Sequence, residues 1–103
     1  EKTSEILMAY RFTLEHPALE HELKKLIIRE AERDDWTPED LSDTEALFGE
    51  HSRIALDSLD ALQICVALQS HFGVRLNGDR MVRRHMTDVA ALAAFVRAER
   101  QGA

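Results

Sequence analysis

The sequence predicts an all-α domain: a bundle of three main helices plus a short third helix, with a long loop between helices one and two. Three observations carry that prediction. Glycine and proline are scarce, with four and two copies, too few for a turn-rich β-sandwich. Apolar residues make up 45% of the chain but aromatic ones only 6%, so the core is expected to be aliphatic. Apolar residues also recur at steps of three and four in separate stretches, as in helices that bury one face. The 103 residues suffice for one compact core, but not for a deep, enclosed active site beside it.

The elements follow in order. Residues 1–16 read as an N-terminal extension, a linker or an extra helix, with Ile6, Leu7, Tyr10 and Leu14 at helical spacing. The domain is expected over 17–100. Its first helix, 17–33, opens at Pro17, which suits a first turn. Leu19, Leu23, Leu26, Ile27 and Ala31 form its apolar stripe. Residues 34–56 connect it to the second helix. There Thr37-Pro38-Glu39-Asp40 is a helix-start signal. Ser42-Asp43-Thr44-Glu45 has capping-box spacing, with Gly49 placed to end that turn. Leu41, Leu47, Phe48 and Ile54 are spaced to anchor a packed loop, and Trp36 is expected to pack beneath it.

The second helix is expected from Ser58 to Phe72, stopped by Gly73. It carries two apolar stripes: Ile64, Cys65, Leu68 and Phe72, then Leu59, Leu62 and Val66. A helix with two stripes is either central or keeps one for a partner. After the extended 74–77, Asn77 is expected to cap a short helix, 78–84, with Asp79 early and Arg83 and Arg84 late, as the helix dipole favours. Thr87 is expected to cap the last helix, whose core positions are Val89, Leu92, Ala93 and Val96. Residues 101–103 form a frayed tail.

Composition narrows the functional classes. The formal charge is −6, which argues against general nucleic-acid binding. Residues 1–60 balance to −9 and residues 61–103 to +3, so a basic patch stands apart from an acidic half. One cysteine, Cys65, excludes a disulfide framework and a cysteine-based zinc site; a buried, inert thiol is expected. No apolar run is long enough for a membrane span, so stable membrane insertion is not expected. The start lacks a secretion signal. A cytoplasmic location and a monomer are the expectations.

Motifs for catalysis or metal binding fail on spacing. "HELKK" at 21–25 opens like a zinc-protease motif, but Lys25 stands where the second histidine belongs. His16 and His21 are five residues apart, a poor helical pair of ligands; the histidines are expected to be solvated. No metal site is expected. Ser58 has no nucleophile elbow around it, and Asp57 and Asp60 would oppose oxyanion charge, so no catalytic residue is expected. Arg80, Arg83, Arg84 and His85 form a basic cluster, read as a solvated helix end or a docking patch.

Ser58 itself is the unexplained residue. Asp57 makes a good N-cap, with Asp60 completing an approximate capping box. Capping leaves Ser58 without a task at the first helical position. Its hydroxyl points outward at the positive end of a helix, where free amides and the dipole favour a phosphate. A phosphodiester modification fits that place; direct catalysis does not.

The run "LDSLDALQICVALQSHFGVRL", 56–76, resembles the signature of the acyl carrier protein family, and the likeness extends to "DTEALFGE" at 43–50 and in layout over about 17–100. Asp57 directly before the serine is closer to acyl carriers than to peptidyl carriers. The resemblance implies a protein that is not an enzyme. A phosphopantetheinyl transferase would attach 4′-phosphopantetheine from coenzyme A to Ser58, making a phosphoprotein. The arm would hold acyl groups as thioesters for acyl-transfer and chain-elongation enzymes of fatty acid, polyketide or other lipid metabolism. Asp57 would help position the transferase or its metal.

Leu59, Asp60, Leu62, Gln63, Val66, Arg80, Arg83 and Arg84 would form the partner face. The first stripe, with helices one and four, would enclose the core and an acyl chain. The sequence departs from the family at Ala55, where glycine is usual; a positive φ there would cost alanine stability. The stretch from Gly49 to Asp57 is about two residues longer than usual. Gln63, Gln69, Ser70 and His71 replace much of the usual acidic charge, and the short helix is basic, which implies a carrier dedicated to a specialised lipid or polyketide pathway. Two other readings stand beside this one: an unmodified interaction domain with the carrier fold, and a basic DNA-binding module.

Overall fold

A computed structural model describes residues 16–76 and 78–101. Those residues form four α-helices, with no strand among them: α1 (Ala18–Glu30), α2 (Ser58–Phe72), α3 (Gly78–His85) and α4 (Val89–Gln101), plus a 3₁₀ turn at Pro38–Asp40. The all-α architecture and the long loop between α1 and α2 are as expected. The expectations for residues 1–15 and for Asn77 lie outside the described residues, as does most of the expectation that 101–103 fray.

α1 packs against α2 and α4, and α3 leans on α4. Leu19, Leu23 and Ile27 of α1 meet Ile64 and Leu68 of α2 and Leu92 and Val96 of α4, all fully buried. Met86, Val74 and Leu76 close the same core from the connections around α3. The interior facing α1 and α4 is therefore filled by side chains. A groove opens between α2 and α3.

Several boundaries differ from the expected ones. Pro17 is the N-cap of α1 and not its first helical residue; its carbonyl accepts from the His21 amide at 3.0 Å. α1 stops at Glu30, not at 33. Glu32 takes a left-handed φ of 55°, its amide bonds the Arg29 carbonyl at 3.2 Å, and the Arg33 amide bonds the Ile28 carbonyl at 3.0 Å. This is a Schellman closure built without glycine. The α4 cap is Asp88, whose carboxylate takes the Ala91 amide at 2.7 Å. Thr87 does not cap; its carbonyl instead accepts from Leu47 at 3.0 Å. α3 runs one residue longer than expected. Its last residue, His85, is not a solvated member of the basic cluster: its ring lies 4.6 Å from that of Phe95.

The loop is a packed structure. Leu41, Leu47 and Ile54 are buried, as expected, and Leu56 joins them. Thr37 and Asp40 form a complete capping box around the 3₁₀ turn. The second expected box does not start a helix. Glu45 reaches the Ser42 amide at 2.6 Å, but both its oxygens are also bonded by Arg53, at 3.0 and 2.6 Å. Arg53 further bonds the Asp40 carbonyl at 2.8 Å and lies 5.3 Å from the half-buried Trp36 ring. Backbone bonds from Leu47 to Thr87 and from Leu56 to Leu47 tie the loop to the α3–α4 connection.

One buried charge joins α1 to α4. Arg97 meets both oxygens of Glu20 at 3.0 Å, and His16 adds a contact at 3.1 Å. Burial alone would push the Glu20 carboxyl up, but hydrogen bonds from Arg97 and His16 outweigh it and hold the group below its ordinary 4.5. The folded state thus binds this proton less readily than the unfolded chain. The stabilisation is complete above pH 4.5 and lost as pH falls through the lower folded value. Glu20→Gln is therefore expected to be less stable than the parent at neutral pH, with a smaller gap at an acid pH below 4.5. Urea unfolding at both pH values checks this, and a gap independent of pH would contradict it.

Candidate functional site

Ser58 is the first residue of α2 and is exposed. Its position follows from the residues around it. The Asp57 carboxylate accepts from the Asp60 amide at 2.9 Å, and the Asp60 carboxylate accepts from the Asp57 amide at 3.1 Å. This reciprocal box fixes where the helix begins. The amides of Ser58 and Leu59 fall in the first turn, where the helix supplies no acceptor. Among the described residues no group hydrogen-bonds the Ser58 hydroxyl. A nucleophile-and-base pair is thus not assembled there, whereas an incoming group has open access beside a helix N-terminus.

The approach to Ser58 is held by Arg33, which sequence reasoning missed. Its guanidinium donates to the Asp60 carboxylate at 3.1 Å, to the Ile54 carbonyl at 3.2 Å, to the Ala55 carbonyl at 3.2 Å and to the Ala31 carbonyl at 2.7 Å. One planar fork thus joins the end of α1, the end of the loop and the start of α2. Asp60 is consequently half-buried and engaged inside the molecule, unlike its exposed neighbours Asp57, Leu59, Leu62 and Gln63.

Ala55 sits at φ 51°. The left-handed turn is kept although alanine, not glycine, occupies it. Its amide donates to Ser52 Oγ at 2.8 Å and its carbonyl accepts from Arg33, so the strained residue is held from both sides. Gly73, at φ 69°, ends α2 in the same backbone region, there without strain.

A groove of about 720 Å³ runs between α2 and α3, and Ser58 lines it. Ala61, Leu62, Cys65 and Val66 contribute one wall; Val82 and Arg83 contribute the other; Phe48, Leu76 and Met86 add apolar surface. Cys65 is therefore not fully buried, because it borders this space. Burial still pushes its thiol above the ordinary 9.0, which keeps it protonated and unreactive at neutral pH. The groove is open, with Ser58 among a lining of apolar side chains interspersed with the polar Gln69, Asp79, Arg83 and Thr87, so a long, flexible group bonded to Ser58 has room in it.

α2 presents its two stripes as expected. Ile64, Leu68 and Phe72 are buried, whereas Leu59, Leu62 and Val66 are 63%, 60% and 56% exposed. Arg80, Arg83 and Arg84 are exposed on α3. Among the described residues, no group of three histidine, cysteine or acidic side chains could hold a metal, and no helix is long and apolar enough to cross a membrane.

Three substitutions test this geometry by thermal or urea unfolding. Ala55→Gly is expected to stabilise the fold by about 0.5–1 kcal/mol, the left-handed strain less the entropy of glycine. Arg33→Ala is expected to cost about 1–3 kcal/mol, since it strips donors from a carboxylate and three carbonyls. Arg33→Lys should recover little, because an ammonium cannot reach these acceptors as a fork.

Comparison with known proteins adds one finding. The sequence model of a family described as "phosphopantetheine attachment site" matches residues 21–96. No curated protein and no solved structure matches the chain.

Proposed function

Because the chain belongs to the phosphopantetheine attachment-site family, we propose that it is an acyl carrier whose attachment residue is Ser58. The family carries 4′-phosphopantetheine covalently, and its carrier domains are non-catalytic. The observation that carries the assignment to Ser58 is its placement. It is an exposed hydroxyl, unbonded among the described residues, at the N-terminus of α2 and on the rim of an apolar groove.

The residues have separate tasks in this reading. Ser58 Oγ forms the phosphodiester in a transferase, losing its proton as the nucleotide half of coenzyme A leaves. The unpaired amides of the first turn and the helix dipole stabilise the phosphate's negative charge. Asp57 stands directly beside it and supplies a contact for the transferase or its divalent cation. The bound arm supplies a terminal thiol, on which acyl groups are held as thioesters. The apolar walls of the groove, Leu62, Val66, Val82 and Met86 among them, give an acyl chain a place away from water. Acyl-transfer and chain-elongation enzymes of a fatty-acid, polyketide or specialised-lipid pathway would exchange these groups with the carrier. The domain bounds in this reading are 17–100.

Incubation with coenzyme A and a promiscuous phosphopantetheinyl transferase, followed by intact-protein mass, tests the proposal. The parent is expected to gain one phosphopantetheine and Ser58→Ala none. Ser58 does not cap α2, so the variant should keep its circular dichroism spectrum. Addition to a folded Ser58→Ala would move the site elsewhere. No addition to the parent with several transferases would favour an unmodified interaction domain.

A further inference from the structure

Four arginines of this chain are used internally. Arg29, Arg33, Arg53 and Arg97 each hold a carboxylate. Arg80, Arg83 and Arg84 are different: among the described residues, nothing bonds or pairs with them, and all three are exposed. They stand at i, i+3 and i+4, so they share one face of α3. The inward face is occupied otherwise, with Met81 and Val82 against the core and His85 on Phe95.

This basic face adjoins an apolar one. Leu59, Leu62 and Val66 stand at i, i+3 and i+7 of α2, more than half exposed. Arg83 lines the same groove as Leu62 and Val66, so the two faces meet across it. An apolar centre with a charged rim is the anatomy of a protein interface. Unpaired cations on the rim select a partner by sign and speed its approach.

Resting on the carrier reading, we propose that this face docks a protein partner that presents an apolar patch edged by Asp and Glu residues. The apolar patch covers Leu59, Leu62 and Val66, and the acidic edge meets Arg80, Arg83 and Arg84. The partner's charge is thus set by α3, even though the chain as a whole is acidic. An anionic lipid surface or a nucleic acid is extended and would also face the exposed acids of a chain whose net charge is −6, whereas a protein patch can confine its acidic charge to the arginines of α3.

The test uses the full chain, labelled for NMR, and two amphipathic helical peptides. One pairs leucine with glutamate, and the other pairs leucine with lysine. The glutamate peptide is expected to shift the amides of Leu59, Leu62, Val66 and Arg83, with affinity that falls as salt is raised. Combined Arg80→Glu, Arg83→Glu and Arg84→Glu should weaken it by about tenfold, with the urea midpoint of the variant showing that it still folds. Equal or tighter binding of the lysine peptide would overturn the proposal, as would binding of neither. Binding to phosphatidylglycerol vesicles through the same residues, or a dimer in light scattering that buries them, would replace the protein partner with another occupant. Ser58 modification of the same preparation is read in parallel by mass. Modification without glutamate-peptide binding sinks the docking proposal alone; absence of modification sinks the carrier reading.

Discussion

Asp60 accepts from the Asp57 amide and from Arg33 with one carboxylate, and the site depends on that pair of hydrogen bonds. The amide bond starts α2 at Ser58. The guanidinium bond carries the end of α1 and two carbonyls of the loop to the same point. A connection of more than twenty residues would otherwise return to α2 with little to fix its last step. Here it arrives with Ala55 in a strained turn, held from Ser52 on one side and Arg33 on the other. The exposed hydroxyl is a consequence: the Asp60 carboxylate and the loop carbonyls beside it are committed inward, and it is not.

The same economy runs along α2. One helix here serves both the core and the exposed face beside the serine. α2 does both, because its two apolar stripes lie on different faces. Ile64, Leu68 and Phe72 are buried in the core, where α2 packs against α1, which makes the helix rigid. Leu59, Leu62 and Val66 are then displayed from a rigid support, next to the groove and the serine.

What could be read from the sequence was local. α2 matched at both ends because its signals are adjacent residues, the acidic cap at Asp57 and the left-handed Gly73. The end of α1 was not legible, since Glu32 takes the left-handed position that glycine usually announces. The α4 cap was misread because Thr87 and Asp88 are both capable of it; a backbone bond from Leu47, forty residues away, commits the Thr87 carbonyl to the loop. The loop's apolar anchors were visible as apolar residues. Arg33 was not, because its partners lie at Ile54, Ala55 and Asp60, and no short-range pattern marks an arginine for such a task. Nor was the groove, which exists only once α3 is placed against α2.

Formal charge misleads about this surface. Several acids of the first sixty residues are paired inside the fold: Glu20 with Arg97, Asp43 with Lys24 at 2.6 Å, Glu45 with Arg53, Asp60 with Arg33. Each pair cancels over a few ångströms, and its field fades quickly in salt. The arginines of α3 have no such internal partner among the described residues, so their field extends outward. A molecule approaching Ser58 therefore meets Asp57 on one side and a cationic rim on the other, a local polarity opposite in part to the sign of the whole chain. Selection of partners by charge has to be argued from that local pattern, because unpaired charges are the ones a partner can still bind.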